Sequence, residues 1–280
     1  MTRYSIRMAS RLFCCCIGVL LFADAVGAQQ VVFSRRVYRI RGRSYQQLWI
    51  WSPSDGRLEP LTRSARDHER PRCSRDGTQI FFESDGEHWR LDRNTGIERP
   101  VDNASPPASA NAPDVRPPQC DDHTLSISPD GLRAACAAHG EDIVIVDLGN
   151  LREIERAPFG QRYSTGEPYP PWSLQSTWSP DARQLLVGTY GGSSTSPALD
   201  YFLLDLATEQ WAPAFKGNHP VWLPDGANIV FSTPRELVEL PGPRERRVWA
   251  AHLAIYNLAA RQQTQLTSGV TNNEEPTLCR

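Results

Sequence analysis

Lysine is almost absent from this chain: Lys216 is the single one, and arginine supplies the rest of the 30 basic residues. Those 30 stand against 32 acidic residues, for a formal charge of −2. That balance lacks the basic excess that phosphate backbones demand, so nucleic acid is not an expected partner. Long apolar runs are missing as well. The one apolar stretch, Leu12 to Phe22, falls short of the roughly 20 residues that a membrane-crossing helix needs. No Cys-x-x-Cys pair and no Cys/His spacing suits a zinc ion. No Gly-x-Ser-x-Gly elbow is present to raise a nucleophilic serine. Nothing in the sequence therefore calls for a metal or another cofactor, and no residue is assigned a catalytic role.

What is present begins with an address. Arg3, Arg7 and Arg11 precede the short apolar run, which contains Cys14, Cys15 and Cys16, and Val26-Gly27-Ala28 supplies small residues at its end. A positive start, a short apolar centre and a small-residue cleavage site make a secretory signal, predicted to span residues 1–28 with cleavage after Ala28. The expected location is periplasmic or extracellular. Residues 29–280 then form a single domain large enough to bury a core. Four cysteines remain in it, Cys73, Cys120, Cys136 and Cys279, in a compartment that permits disulfides.

Repetition is the strongest pattern. Cys73-Ser74-Arg75-Asp76-Gly77, Ile127-Ser128-Pro129-Asp130-Gly131, Trp178-Ser179-Pro180-Asp181-Ala182 and Trp222-Leu223-Pro224-Asp225-Gly226 share one phrase, with the aspartates 54, 51 and 44 residues apart. Proline presets φ, aspartate bonds back to its own backbone and glycine accepts positive φ, so the phrase is a tight turn between strands. Short β-rich runs follow, such as Gln79 to Glu83, Gln184 to Gly188 and Asn228 to Ser232. A second phrase closes each third strand with a turn-capping residue: Leu48 to Ser52, His88 to Asp92, Ile143 to Asp147, Tyr201 to Asp205 and Leu253 to Asn257. A short outer strand comes next. Each repeat thus holds four strands.

A strand, Ser-Pro-Asp-Gly and a second strand is the pattern of PD40 (WD40-like) repeats, and on these residues nearly all of the chain beyond the signal resembles the TolB-like β-propeller family. The resemblance implies an all-β propeller of four-stranded blades. Four Asp-Gly/Ala turns against five third-strand phrases give five blades, with six as the alternative if residues 98–124 hide a degenerate one. The ends complete the count: Glu274 to Leu278 resembles an inner strand with no turn after it, and Gln30 to Ser34 resembles a second strand with no first. The two termini are predicted to pair in one shared blade, which removes two sheet edges. TolB resembles a six-bladed ring preceded by an α/β domain, and this chain is expected to differ from that arrangement on both points.

Chain direction reverses at every turn, so the long segments 35–46, 101–120, 160–173, 191–199 and 233–247 all fall on one face. Loops on a rigid scaffold carry binding. The candidate ligand-binding residues are those of the loop Tyr163 to Trp172 (Tyr163, Tyr169, Trp172) and those at the starts of the inner strands near the channel: His68, Glu69, Arg116, Asn218, His219, Glu274 and Glu275. Segment 233–247, with arginines and glutamates intermixed, is expected to be a solvated loop. These features suggest a non-catalytic propeller that binds a protein or glycan of the cell envelope. Two alternatives stay open: a carbohydrate-active enzyme with carboxylates in the funnel, and a propeller accessory to a separate peptidase. Cys120 and Cys136 form the expected disulfide, because the hairpin about Pro129-Asp130 sets residue 136 opposite about 123. Cys73 and Cys279 are the less promising pair, since Leu278 and not Cys279 stands at the repeat position of Cys73, and the connectivity stays open.

Overall fold

The computed structural model describes residues 29–39, 43–101, 117, 120, 125–138, 142–158, 175–190, 198–240 and 246–279. The predicted signal, residues 1–28, lies outside them. All regular structure among the described residues is β. Sheet 1 runs β21(Thr271–Cys279), β1(Gln30–Val37), β2(Gln46–Trp51), β3(Leu58–Pro60). Sheet 2 is β4(Glu69–Cys73), β5(Gln79–Ser84), β6(Glu87–Asp92), β7(Glu98–Pro100). Sheet 3 is β8(Ser126–Ile127), β9(Arg133–Ala138), β10(Asp142–Asp147), β11(Glu153–Pro158). The remaining strands are β12(Gln175–Trp178), β13(Gln184–Tyr190), β14(Leu199–Asp205), β15(Gln210–Trp222), β16(Asn228–Ser232), β17(Glu236–Leu240), β18(Arg246–Ala250), β19(Leu253–Asn257) and β20(Gln262–Gln265). The long strand β15 serves twice. Its first half pairs with β14 and ends sheet 4; its second half pairs with β16 and begins sheet 5, which continues through β19 to β20. Gly217 sits at the join, where a Cβ would lie 2.4 Å from the Phe231 ring and 2.6 Å from the Ser232 carbonyl.

The repeated turns form as their chemistry dictates. Ser74 Oγ donates to Asp76 Oδ1 at 2.6 Å, the Thr78 N–H donates to the same oxygen at 3.1 Å, and Gly77 N–H closes on the Ser74 carbonyl at 3.0 Å. Ser128–Asp130 and Ser179–Asp181 repeat the first contact at 2.5 and 2.6 Å. Between the turns, central strands are buried on both faces because each sheet stacks on its neighbours. Val31, Val32, Phe33 and Ser34 of β1 are all inaccessible, as are Ile229, Val230 and Phe231 of β16. Four core clusters lie between sheets. Val32, Leu48 and Ile50 meet Ile80, Phe82 and Leu91; Val31, Phe33 and Trp51 meet Leu223, Val230 and Leu253. Leu186, Leu199 and Tyr201 meet Ile229, Phe231 and Tyr256; Ala135, Ala137 and Ile145 meet Trp178, Leu185 and Leu204. The alanine-rich β9 accommodates the Trp178 indole, whose N–H donates to the Ser126 carbonyl at 2.9 Å.

The ends of the chain meet. Val31 pairs with Leu278 and Val32 with Thr277, antiparallel, so the terminal strands share sheet 1. Two expectations are corrected. Segment 233–247 is not a loop throughout: β17 and β18 pair as a hairpin, with Val238 opposite Val248 and Glu239 opposite Arg247. The alternation of Glu-Leu-Val-Glu-Leu against Arg-Arg-Val-Trp-Ala gives one face of the hairpin apolar cover and sets opposite charges across the strands. The second correction concerns cysteine. Cys120–Cys136 is bridged, with Cα atoms 5.5 Å apart, and so is Cys73–Cys279, at 5.4 Å. Facing surfaces of stacked sheets have opposite parity: sheet 1 offers Val32, Ile50 and Cys279, while sheet 2 answers with Cys73, Ile80 and Phe82. A residue one position beyond the repeat equivalent of Cys73 is therefore the one that can reach it. The register around Cys136 also differs slightly, since Ser126 opposes Ala135 and sets residue 136 against 125.

Candidate functional site

Three of the five inner strands among the described residues share one irregularity, while β8 and β12 pair without it. Register shifts interrupt β4 between Glu69 and Arg72, β15 between Asn218 and Val221, and β21 where it passes Val32 and Ser34. At each shift a residue other than glycine takes a left-handed conformation: Arg70 at φ 52°, His219 at φ 50° and Glu275 at φ 55°. The three occupy one repeat position, since Arg70 precedes Asp76 as His219 precedes Asp225, and Glu275 precedes Leu278 as Arg70 precedes Cys73. A bulge of this kind re-aims a side chain, and each left-handed non-glycine residue costs about 1–2 kcal/mol. Glu69, Asn218 and Glu274 stand immediately before them. β21 lies between β4 and β15, which brings the three pairs to neighbouring strands. One contact ties two of them directly: the Arg70 N–H donates to Glu275 Oε2 at 2.5 Å.

Charge is mixed and unevenly satisfied there. Arg70 Nη1 donates to Glu83 Oε2 at 2.9 Å, and Arg235 pairs with Glu274. Arg36 donates to Asp67 at 3.1 Å and to the Gln46 side chain at 3.2 Å, and stands 4.0 Å from Glu69. Partial burial pushes the Glu69 carboxyl above its ordinary value, and the carboxylates of Glu275 and Asp67 push it further against the pull of Arg36 and Arg70. Among the described residues no three His, Cys, Asp or Glu side chains gather in a way that would hold a metal ion. Carboxylates crowded at one opening, with arginines between them, suit charge-assisted hydrogen bonds to a basic or polar partner.

No family model and no curated protein matches the chain. Solved structures do. A protein assigned as TolB from Agrobacterium tumefaciens superposes with a TM-score of 0.50 at 13% identity, over 90% of this chain and 99% of that one. The chain has the TolB-like β-propeller fold. TolB from Acinetobacter baumannii aligns over 90% of this chain but 66% of its own length, with a TM-score of 0.35 at 14% identity. The tricorn protease aligns over 76% of this chain and 29% of its own, at 13% identity and a TM-score of 0.35. At 13% identity the Agrobacterium likeness speaks for the propeller fold alone.

Within the propeller, the residues singled out from sequence separate. Glu69, Asn218, His219, Glu274 and Glu275 stand at the bulges of three neighbouring inner strands. Arg116, Tyr163, Tyr169 and Trp172 lie outside the described residues. His68 is placed in the core, fully buried and against the Phe82 ring at 4.8 Å. Its Nε2 meets Ser64 Oγ at 3.2 Å and Glu98 Oε2 at 3.3 Å, while Nδ1 faces the Arg66 carbonyl at 3.0 Å. A serine–histidine–carboxylate relay needs nucleophile and carboxylate on opposite ring nitrogens. Here both meet the same nitrogen, so the cluster anchors the link into β4. Sequence reasoning missed Arg70, the counterpart of His219 and Glu275, and the signal that finds it is its distance from the Asp-Gly turn. Arg36 and Asp67 carried no such signal; the fold alone brings them beside Glu69. Among the described residues no helix is long and apolar enough to cross a membrane.

Proposed function

We propose that this chain is an exported, non-catalytic propeller that binds a protein of the cell envelope through the face where its inner strands begin. In this reading the signal ends at Ala28, residues 29–280 are one domain, and sheets 1 to 5 are the blades of a closed ring, with sheet 2 meeting sheet 3 at the remaining joint. The observation that carries the proposal is the repeated bulge. Three non-glycine residues in left-handed backbone, at one repeat position on adjacent blades, hold Arg70, His219 and Glu275 at the opening of the channel. Such conformations persist where the surroundings over-determine them, and they cluster at binding sites. Glycine at these three positions would remove the strain, yet each carries a long polar or charged side chain.

The test uses the mature chain and a triple variant, Arg70→Gly with His219→Gly and Glu275→Gly, as bait for cross-linked capture from envelope extract. The variant keeps the backbone and loses the side chains, so it melts at or above the wild-type temperature while its capture of a specific partner drops at least 10-fold. Equal capture by both baits overturns the proposal. A second reading, glycan cleavage in the funnel, draws on the Glu69 carboxyl, which burial and neighbouring carboxylates hold above its ordinary value, as suits a general acid. Turnover of envelope polysaccharide that Glu69→Gln abolishes would establish it instead.

A further inference from the structure

The outer edge of each blade is where a propeller is exposed to unwanted strand pairing. Four of the five outer strands among the described residues carry a proline: Pro60 in β3, Pro100 in β7, Pro158 in β11 and Pro213 in the first half of β15. The fifth, β20, reads Gln-Gln-Thr-Gln, is exposed at every position and carries none. The hydrogen bonds show what the prolines do. Leu61 N–H donates inward to the Leu48 carbonyl and Val101 N–H to the His88 carbonyl, so residues 60 and 100 face their N–H positions outward, where proline has nothing to donate. Leu266 N–H donates to the Leu253 carbonyl in the same way. Gln265 therefore occupies the position of Pro60 and Pro100, and its N–H points out from an unguarded edge.

A groove lies beside this edge, on the short-turn face and away from the bulges. Its volume is about 430 Å³, and Leu203, Ala212 and Ala214 of sheet 4 line it together with Tyr256, Leu258 and Arg261 of sheet 5. The preceding joint, between sheets 3 and 4, shows why it is open. By repeat position Trp211 corresponds to Gln263, and Glu155 to Ala212. Trp211 packs into the core of its joint, whereas Gln263 is exposed and Ala212 leaves the space empty. The Tyr256 hydroxyl has no hydrogen-bond partner among the described residues. Arg261 is the one charged residue lining the groove, and it has no ion pair among the described residues. It stands one residue before β20.

We propose that this groove and edge form a second binding site, for an extended acidic peptide segment of a partner protein. The segment adds as a strand along Gln262–Gln265 and drops one aliphatic or aromatic side chain between Leu203 and Tyr256. A carboxylate one or two residues away bonds to Arg261. Main-chain pairing supplies affinity and the pocket and cation supply specificity, as in other strand-addition sites. Peptide, and not a small apolar acid, is the occupant because the strand with the unguarded main-chain donors begins one residue after Arg261, which lines the pocket.

The probe is an array of fluorescent octapeptides of serine and glycine, each with one Leu or Phe and one Asp at spacings of one to four residues. Fluorescence anisotropy with the full chain gives saturable binding for at least one spacing. Gln265→Pro, which installs the guard of the other blades, weakens it at least 10-fold, and so do Arg261→Glu and Ala214→Trp, while each variant keeps the wild-type circular dichroism spectrum. Exchange of Asp for Asn in the peptide costs as much as Arg261→Glu. Because Arg261→Glu alters only an exposed turn, it decides the matter if Gln265→Pro fails to fold. Absence of binding by every peptide, undiminished binding to Arg261→Glu, or full displacement by decanoate overturns the proposal. So does a dimer of the chain that Gln265→Pro dissolves. None of these results touches the bulge face, whose variants are read separately.

Discussion

Replacing Cys73 and Cys279 together with alanine cuts the tie between the last strand and the neighbouring blade. The bridge spans 206 residues of sequence, against 16 for Cys120–Cys136. Loop-closure entropy grows slowly with length, so the long bridge removes about 5 kcal/mol of unfolded-state freedom and the short one about 3 kcal/mol. For a domain of this size, about 2–4 °C of melting temperature follows each kcal/mol. The Cys73→Ala/Cys279→Ala variant is thus expected to melt about 10–20 °C below the parent, and Cys120→Ala/Cys136→Ala about 6–12 °C below it. The order matters more than either value. Cys279 is fully buried among Val32, Ile50 and Ile80, so the small side-chain volume lost there adds to the first figure. The assay is thermal unfolding followed by circular dichroism on oxidised protein, with thiol titration in denaturant to show that the parent holds no free thiol in residues 29–280. A long-bridge variant that melts within about 2 °C of the parent, or a short-bridge variant that is the less stable of the two, refutes the reasoning. Free thiols in the parent refute it at the outset.

Deleting Asn273–Arg280 removes most of the partner of β1, and the truncated chain is expected to melt sharply lower and to aggregate through the exposed edge; an unchanged melting curve contradicts this. Two glycines separate strain from crowding. Gly131→Ala, at φ 72° with nothing within 4 Å of the new Cβ, costs about 1–2 kcal/mol in a urea titration from backbone strain alone. Gly217→Ala drives its Cβ into Phe231 and the Ser232 carbonyl and costs about 3 kcal/mol or more. Hydrogen bonds from Ser128 and then from the Leu132 N–H hold the Asp130 carboxyl below its ordinary value. A depressed carboxyl contributes stability that is present above its unfolded pKa of about 3.9 and is lost as pH falls through the folded value. Asp130→Asn is therefore less stable than the parent at pH 7, and the gap narrows as pH falls below about 4 towards the folded value; a gap that does not narrow on acidification in denaturant titrations excludes the charge as its source.

Much of the fold was legible because short-range chemistry writes it. A serine or proline, an aspartate and a glycine at fixed offsets specify the tight turn wherever they occur. Period-two burial marks the strands between the turns, and two incomplete chain ends announce the pairing of Val31 and Val32 with Leu278 and Thr277. Three things depended on stacking one sheet against the next. Facing surfaces of neighbouring blades have opposite parity, so a one-residue offset within the repeat made the Cys73–Cys279 bridge possible while the sequence argued against it. His68 looked like a channel residue because it sits next to Glu69, but its N–H bonds the Gln46 carbonyl just before β4 begins, and the ring packs inward onto Phe82. The groove at Arg261 exists because Ala212 and Gln263 stand where the previous joint has Glu155 and Trp211. Sequence by itself thus determined turns, strands and the meeting of the ends, whose causes lie within a few residues or within one sheet's pairing. Which side chains share a space between two sheets, and hence the candidate sites, was decided only when tertiary packing set one blade's parity against another's.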